Sequence, residues 1–306
     1  MRKTFIKTLI ELAGKDENIY LLTGDIGFSL LEDFANKFPK RFINCGIAEQ
    51  NMIGVAAGLA MNGKKVYVYS IVPFVTMRCF EQIRNDLCFQ NLDVKIVGCG
   101  AGFSYGPQGT THHAIEDIGI LRVLPNMTIL SPADPIEVEE LILQSYKIKG
   151  PTYIRLDKGS KKLYDFKPDI AIGKPSVLKE GKDGVIIITG AYLETGLNIV
   201  RRLEQRGYNF KLISMHTLKP IDVASLLREI EGRRLIFTLE EHNIIGGLGS
   251  AIAEILLANN ISNITFRSIG VDDRYPDIAG EQNYLRDYYK IDEESIYNKI
   301  TGYLVK

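Results

Sequence analysis

Twice along this chain, runs of strand length alternate with longer helix-like segments, and that alternation limits the fold more than any other feature. The first series reads "IYLLTGD", "RFINCG", "KVYVYSIV", "VKIVGCG", "MTILSP" and "TYIRLD", separated by segments such as "FVTMRCFEQIRNDLCF" and "PIEVEELILQSYKI". Strands alternating with helices form a mostly parallel sheet whose faces the helices cover. A second series restarts with "GVIIITGA" and runs through "ETGLNIVRRLEQRG", "FKLISMH", "VASLLREIEG" and "RLIFTLEEH". It continues with a helix from about Ser250 to Asn259 and with "ITFRSIGV", and ends in a short helical tail. Between the two, "DKGSKKLYDFKPDIAIGKPSVLKEGK" is polar, rich in Lys and Gly and without clean periodicity, which reads as a linker. At 306 residues the chain is long for a single core. The expected fold is α/β with two domains, each a mostly parallel sheet flanked by helices: residues 1–160, a linker over 161–182, and residues 183–306.

Composition narrows the function. Thirty-seven basic residues balance thirty-seven acidic ones, without the basic excess or stripe that nucleic-acid binding requires. The cysteines Cys45, Cys79, Cys88 and Cys99 show no CxxC spacing, which argues against a metal cage or disulfide framework and for a reducing cytosol. "MRKTFIKTLIELAGKDEN" carries charges through its apolar stretch and does not read as a signal peptide. No run approaches the roughly 20 apolar residues of a membrane span. The expectation is a soluble, cytoplasmic protein that contacts neither nucleic acid nor membrane.

Three features of the first series carry chemistry. Glu49, in "GIAEQNM", follows a strand and sits in the first turn of a helix. A helix-dipole role would suffice for an isolated acid there. The following Gly54, Ala56, Ala57 and Gly58, however, let another backbone approach, so the helix is expected to press on a neighbouring subunit and shelter the acid. The loop "CGAGFSYGPQGTTHHAIED" has five glycines between residues 98 and 109 and the adjacent His112 and His113. It follows a strand end, where ligands sit in open α/β sheets. Arg155, in "PTYIRLDKG", reads either as a phosphate or carboxylate anchor or as one half of an ion pair. In the second series "HNIIGGLGSAIAEI" lacks the full G-x-G-x-x-G spacing and reads as a tight strand-to-helix turn packed at an interface.

Taken together, "RKTF", "TGDIGFS", "GIAEQNM", "PFVTMRCFEQIRND", "GPQGTTHHAIED", "YIRLDKG", "HTLKPID" and "EEHNIIGGLGSA" come in family order over essentially the whole chain. The chain thereby resembles the C-terminal half of transketolase-family enzymes that use thiamine diphosphate. The resemblance implies a pyrimidine-binding domain followed by the family's C-terminal domain. It puts Glu49 on N1′ of the cofactor's aminopyrimidine, where it promotes the tautomer that activates the thiazolium carbon. Phe74 takes the place of the aromatic that stacks on the pyrimidine, with Asp25 and Ile47 among the cofactor contacts. His112 matches the loop histidine that meets substrate oxygens and transfers protons. Arg2, Ser29, Gln108 and Arg155 match positions that hold the sugar substrate. Gln108 stands where the family has aspartate, and about Gly100 where it has a phosphate-side histidine; both departures point away from an ordinary pentose phosphate.

The family's GDG-then-Asn motif for diphosphate and Mg²⁺ has no counterpart in this sequence. The resemblance therefore implies no metal ligand in this chain and a separate N-terminal-type subunit that carries that motif and holds the Mg²⁺. The two subunits would assemble as an α₂β₂ heterotetramer with a cofactor at each interface, acting as a split transketolase that moves a two-carbon ketol unit between sugars. "IAEQ" alone leaves open a decarboxylating enzyme, resembling 1-deoxyxylulose-5-phosphate synthase or the β-subunits of 2-oxo acid dehydrogenases. A noncatalytic scaffold subunit is the reading from another class.

Overall fold

Each apolar run of the first series becomes a strand. In the computed structural model, which describes residues 1–159, 162–164 and 168–304, these are β1 (Ile19–Thr23), β2 (Phe42–Asn44), β3 (Lys65–Ile71), β4 (Val94–Cys99), β5 (Thr128–Leu130) and β6 (Thr152–Leu156). They lie parallel in the order β5-β6-β4-β3-β1-β2. β4 is buried along its whole length and β3 at all but its two end residues. Burial on both faces is why these segments read as unbroken apolar runs.

The second series forms β7 (Ser176–Lys179), β8 (Gly184–Ile188), β9 (Phe210–Ser214), β10 (Thr217–Lys219), β11 (Leu235–Asn243) and β12 (Thr265–Val271). Five of these make a second sheet in the order β12-β11-β8-β9-β7, parallel except for β7, which runs antiparallel to β9. Two mostly parallel sheets flanked by helices is the architecture expected from the alternation.

Three details differ from the sequence reading. β7 lies inside the stretch read as linker, so the second sheet begins before residue 183; the expected boundary at 160–161 lies outside the described residues. β10 leaves the second unit and pairs antiparallel with β5 of the first sheet. Lys219, at its end, donates to the carbonyls of Arg122 and Leu124 at 2.7 and 2.6 Å, capping the helix Asp117–Arg122. The helix expected over "FVTMRCFEQIRNDLCF" is broken into Val72–Thr76, Phe80–Gln82 and a wide π-type turn over Ile83–Cys88. Thr76 bonds back to the Val72 carbonyl at 2.7 Å, a contact that bends helices, and Arg78 is left protruding from the break. The two sheets share one apolar cluster, in which Leu22, Ile96 and Ile129 join Val185, Ile213, Leu218 and Leu248. Among the described residues no helix is long and apolar enough to cross a membrane.

The glycine turn of the second unit holds an internal acid. Glu240 accepts from the Leu248 and Gly249 amides at 2.6 and 2.8 Å, satisfying the first turn of the helix Leu248–Ala258. Gly246 approaches so closely that a Cβ on it would lie 3.0 Å from Gly119 Cα of the first unit. A Cβ on Gly247 would stand 2.0 Å from Glu240 Oε2. Gly247→Ala is therefore expected to cost about 1–3 kcal/mol by overpacking and loss of the cap, read by urea unfolding; an unchanged midpoint would contradict this packing.

Candidate functional site

The carboxyl ends of β1, β3 and β4 form one edge of the first sheet, and the helix Glu49–Met61 starts beside it. Glu49 is its first residue, with Ala48 in extended backbone before it, and only 2% of Glu49 is exposed. Its Oε1 accepts from Ser70 Oγ at the end of β3 at 3.4 Å, and its Oε2 from Arg78 Nη1 at 2.7 Å. Gly24 closes the other side: a Cβ there would lie 3.3 Å from Glu49 Cγ. Phe74 is half-buried in Val72–Thr76. The His112 ring meets it edge-on at 5.0 Å and 71°. Arg78 lies over the other exposed part of the cluster, its Cζ 4.4 Å from the Phe74 centroid. The loop histidine and the helix acid, far apart in sequence, thus converge on one aromatic ring.

Burial, and then the neighbouring His113, hold His112 below the ordinary imidazole value, so it is a neutral proton acceptor at neutral pH. Its Nδ1 pairs with Thr111 Oγ1 at 3.0 Å. His113 plays a structural part. It is buried, pairs through Nε2 with the Gly106 carbonyl at 3.1 Å and packs edge-on against Phe103. The second unit braces this loop. Glu241 accepts from the Phe103 amide at 2.6 Å and is held by Gln282 and Arg286, while Thr110 donates to the Pro276 carbonyl.

Asp25 and Ser29 sit in the loop after β1, both in left-handed backbone at φ of 58° and 60°. Such conformations are rare without glycine and mark a position held by its surroundings. For Asp25 the holder is Asn44, which donates to its carboxylate at 2.9 Å and accepts from its amide at 3.1 Å. The Ser29 amide donates to Glu32 Oε1 at 2.7 Å. Phe28 and Ile47 flank this edge with most of their surface exposed. A Cβ on Gly54 or Gly58 would meet nothing within 4 Å, so the outer face of the Glu49–Met61 helix is open.

Arg155 needs correction. Expected as a substrate anchor, it is turned into the protein: Nε and Nη2 donate to Asp117 at 2.7 and 3.3 Å, and Nη2 donates to the carbonyls of Ala114 and Glu241 at 2.7 and 3.1 Å. Both members of the pair are buried. Arg155 lies within β6, where side chains enter the core; Lys158 lies past the strand end, where ligands sit. The structure puts Lys158 there, exposed, with Nζ 3.9 Å from the Tyr105 centroid. Arg2 stands near the same tyrosine, as its charge coupling to Tyr105, Tyr69 and Cys99 shows. Gln108 is exposed at the end of the turn Gly106–Gln108. Gly100 has φ of 88°, and the Tyr105 ring stands 2.1 Å from where its Cβ would be, so no histidine fits at that position.

Arg78, Ser70, Tyr105, Lys158 and Glu241 were missed from sequence; only Lys158 had a signal, its place just beyond a strand. The set fits the pyrimidine end of a thiamine cofactor. A buried acid, a half-open aromatic face and a histidine converge, and the planar guanidinium between acid and ring shows that a flat hydrogen-bonding group is accommodated. Among the described residues no group of three or more His, Cys, Asp or Glu is placed to hold a metal ion.

Residues 1–162 match the family described as "Transketolase, pyrimidine binding domain", and residues 173–296 match "Transketolase, C-terminal domain". One of the two subunits of the apulose-4-phosphate transketolase of Phocaeicola vulgatus is 35% identical over 300 residues, covering 96% of this chain and 94% of that one. The 6-deoxy-6-sulfo-D-fructose transketolase subunit SqwH of a Clostridium species is 34% identical over 298 residues, covering 97% and 92%. A solved structure described as a split gene transketolase, inactive beta4 tetramer, superimposes with a TM-score of 0.89 at 36% identity, covering 98% of this chain and 97% of that one. Both halves of the chain, in sequence and in fold, therefore belong to the transketolase family of thiamine-diphosphate-dependent enzymes.

Proposed function

We propose that this chain supplies the pyrimidine half of a thiamine diphosphate site in a two-subunit transketolase, which transfers a two-carbon ketol unit between sugars or sugar phosphates. The observation that carries the reading is the convergence of Glu49, Phe74 and His112 on one half-open edge. Thiamine diphosphate, when bound, supplies the carbanion-stabilising centre such a transfer needs. Glu49, sheltered from water, shares a proton with the aminopyrimidine N1′. Phe74 takes the face of that ring. His112, neutral and braced by the second unit, exchanges protons with the sugar's oxygens. Asp25 and Ile47 line the cofactor's approach, and Ser29 and Gln108 the sugar's. Arg2 and Lys158 meet an anionic end of the sugar, the role first given to Arg155. Gln108 and the tyrosine-filled Gly100 position support a ketose other than the common pentose phosphates, as do relatives named for apulose 4-phosphate and sulfofructose.

The diphosphate and Mg²⁺ belong to an N-terminal-type partner subunit with the GDG…Asn motif, in a cytoplasmic α₂β₂ assembly. Support comes from the missing motif, the open Gly54/Gly58 face with exposed Ile47 and Phe28, the four free cysteines and a relative described as an inactive beta4 tetramer. By itself the chain is expected to self-associate without activity. The test is to mix it with the GDG-containing partner and follow ketol transfer from ketose phosphates to aldehydes, with CO₂ release from pyruvate as the second assay. Transfer only in the mixture is the expected result. CO₂ release without transfer would establish the decarboxylating alternative, and transfer by the partner without this chain would make it a scaffold.

A further inference from the structure

Arg78 sits where the cofactor ring would have to go. Its Nη1 donates to Glu49 Oε2 at 2.7 Å, and its guanidinium carbon lies 4.4 Å from the Phe74 centroid. Those are the two contacts assigned above to the aminopyrimidine: a hydrogen bond to the buried acid and a stack on the aromatic face. A guanidinium is planar, delocalised and rich in N–H donors, so it reproduces both at once. Glu49 gives the physical reason. An acid with 2% exposure is costly to leave without a partner, and an oxygen already accepting from Arg78 cannot share a proton with a ring nitrogen. The arginine side chain itself is 44% exposed. It rises from the break between Val72–Thr76 and Phe80–Gln82, so rotation about its own bonds carries it into water without unfolding either segment.

We propose that Arg78 is a placeholder that closes the pyrimidine seat of the cofactor-free chain and must withdraw before Glu49 and Phe74 can receive the cofactor. It is a positioning residue: it keeps the seat formed and Glu49 paired, and it sets how readily the seat is entered. The inference rests on the thiamine reading. Apparent affinity falls by the fraction of molecules whose seat is open, so removing the placeholder tightens binding.

The test is calorimetric titration of thiamine diphosphate with Mg²⁺ into the assembled two-subunit protein, wild type against Arg78→Ala and Arg78→Lys, with the unfolding temperature of each recorded. Arg78→Ala is expected to bind about three- to tenfold more tightly. Arg78→Lys, which keeps the charge but not the plane, is expected to fall between, and decides the question if the alanine variant does not assemble. An unchanged Kd with a lower unfolding temperature would overturn the proposal in favour of a structural ion pair. A weaker Kd would overturn it by making Arg78 a cofactor ligand. Absence of binding by the wild-type assembly would overturn the thiamine reading and this inference with it, whereas equal binding by all three proteins overturns the inference alone.

Discussion

Glu49→Gln in the assembled enzyme is expected to lower kcat by roughly 10²–10⁴-fold, the usual contribution of a positioned acid–base group, while folding and assembly stay intact. Glutamine keeps the shape that Gly24 and Ser70 pack against. It leaves Arg78 without its anion, but that side chain is 44% exposed and water can solvate it. What glutamine cannot do is take up and return a proton. The prediction separates the catalytic reading from the helix-dipole one, under which losing a surface-type interaction would cost about 0.3–1 kcal/mol of stability and no turnover. Steady-state kinetics beside urea unfolding decides it. A kcat within twofold of wild type would remove Glu49 from the chemistry and favour a scaffold.

Arg155→Met is expected to show the opposite pattern, a loss of about 3–5 kcal/mol in stability, because it leaves Asp117 buried with its charge unpaired. Asp117 would keep only Tyr153 Oη, at 2.6 Å, as a side-chain donor among those the pair now shares. The Arg155 contact to the Glu241 carbonyl also ties the first unit to the second, so the bracing of the His112 loop weakens with it. Adding Asp117→Asn should recover part of the loss, since pairwise terms in contact are not additive. If Arg155 held a sugar phosphate instead, KM would rise with stability unchanged. Urea unfolding and KM measured on one preparation distinguish the two.

Much of this site was legible in the sequence because the residues that make it are tied to strand ends. Glu49 follows β2 and His112 lies in the loop after β4, and strand ends can be read from the apolar runs that precede them. Arg155 misled because its distance from the end of β6 decides between core and cleft, and the apolar run "TYIRLD" does not mark that end. Arg78 could not be read as a site residue. It becomes one through the break after Thr76, where no proline or glycine interrupts the pattern and a side-chain bond back to Val72 does the bending. Tyr105 was hidden for a similar reason, since its ring fills the space over Gly100 only because that backbone turns left-handed. β10 is three residues long and pairs with a strand nearly ninety positions earlier, and no local pattern encodes such a partner. The shared architecture came through because burial on both faces leaves a signal in every strand.

Two subunits sharing one cofactor site is the central claim, and cofactor binding tests it most directly. Thiamine diphosphate with Mg²⁺ would be titrated calorimetrically into this chain alone, and then into its mixture with the GDG-containing partner. Binding in the mixture and not in the chain alone is the predicted result. Tight binding to the chain alone would contradict it, since the diphosphate would then have a site here, and binding in neither would contradict the cofactor assignment itself.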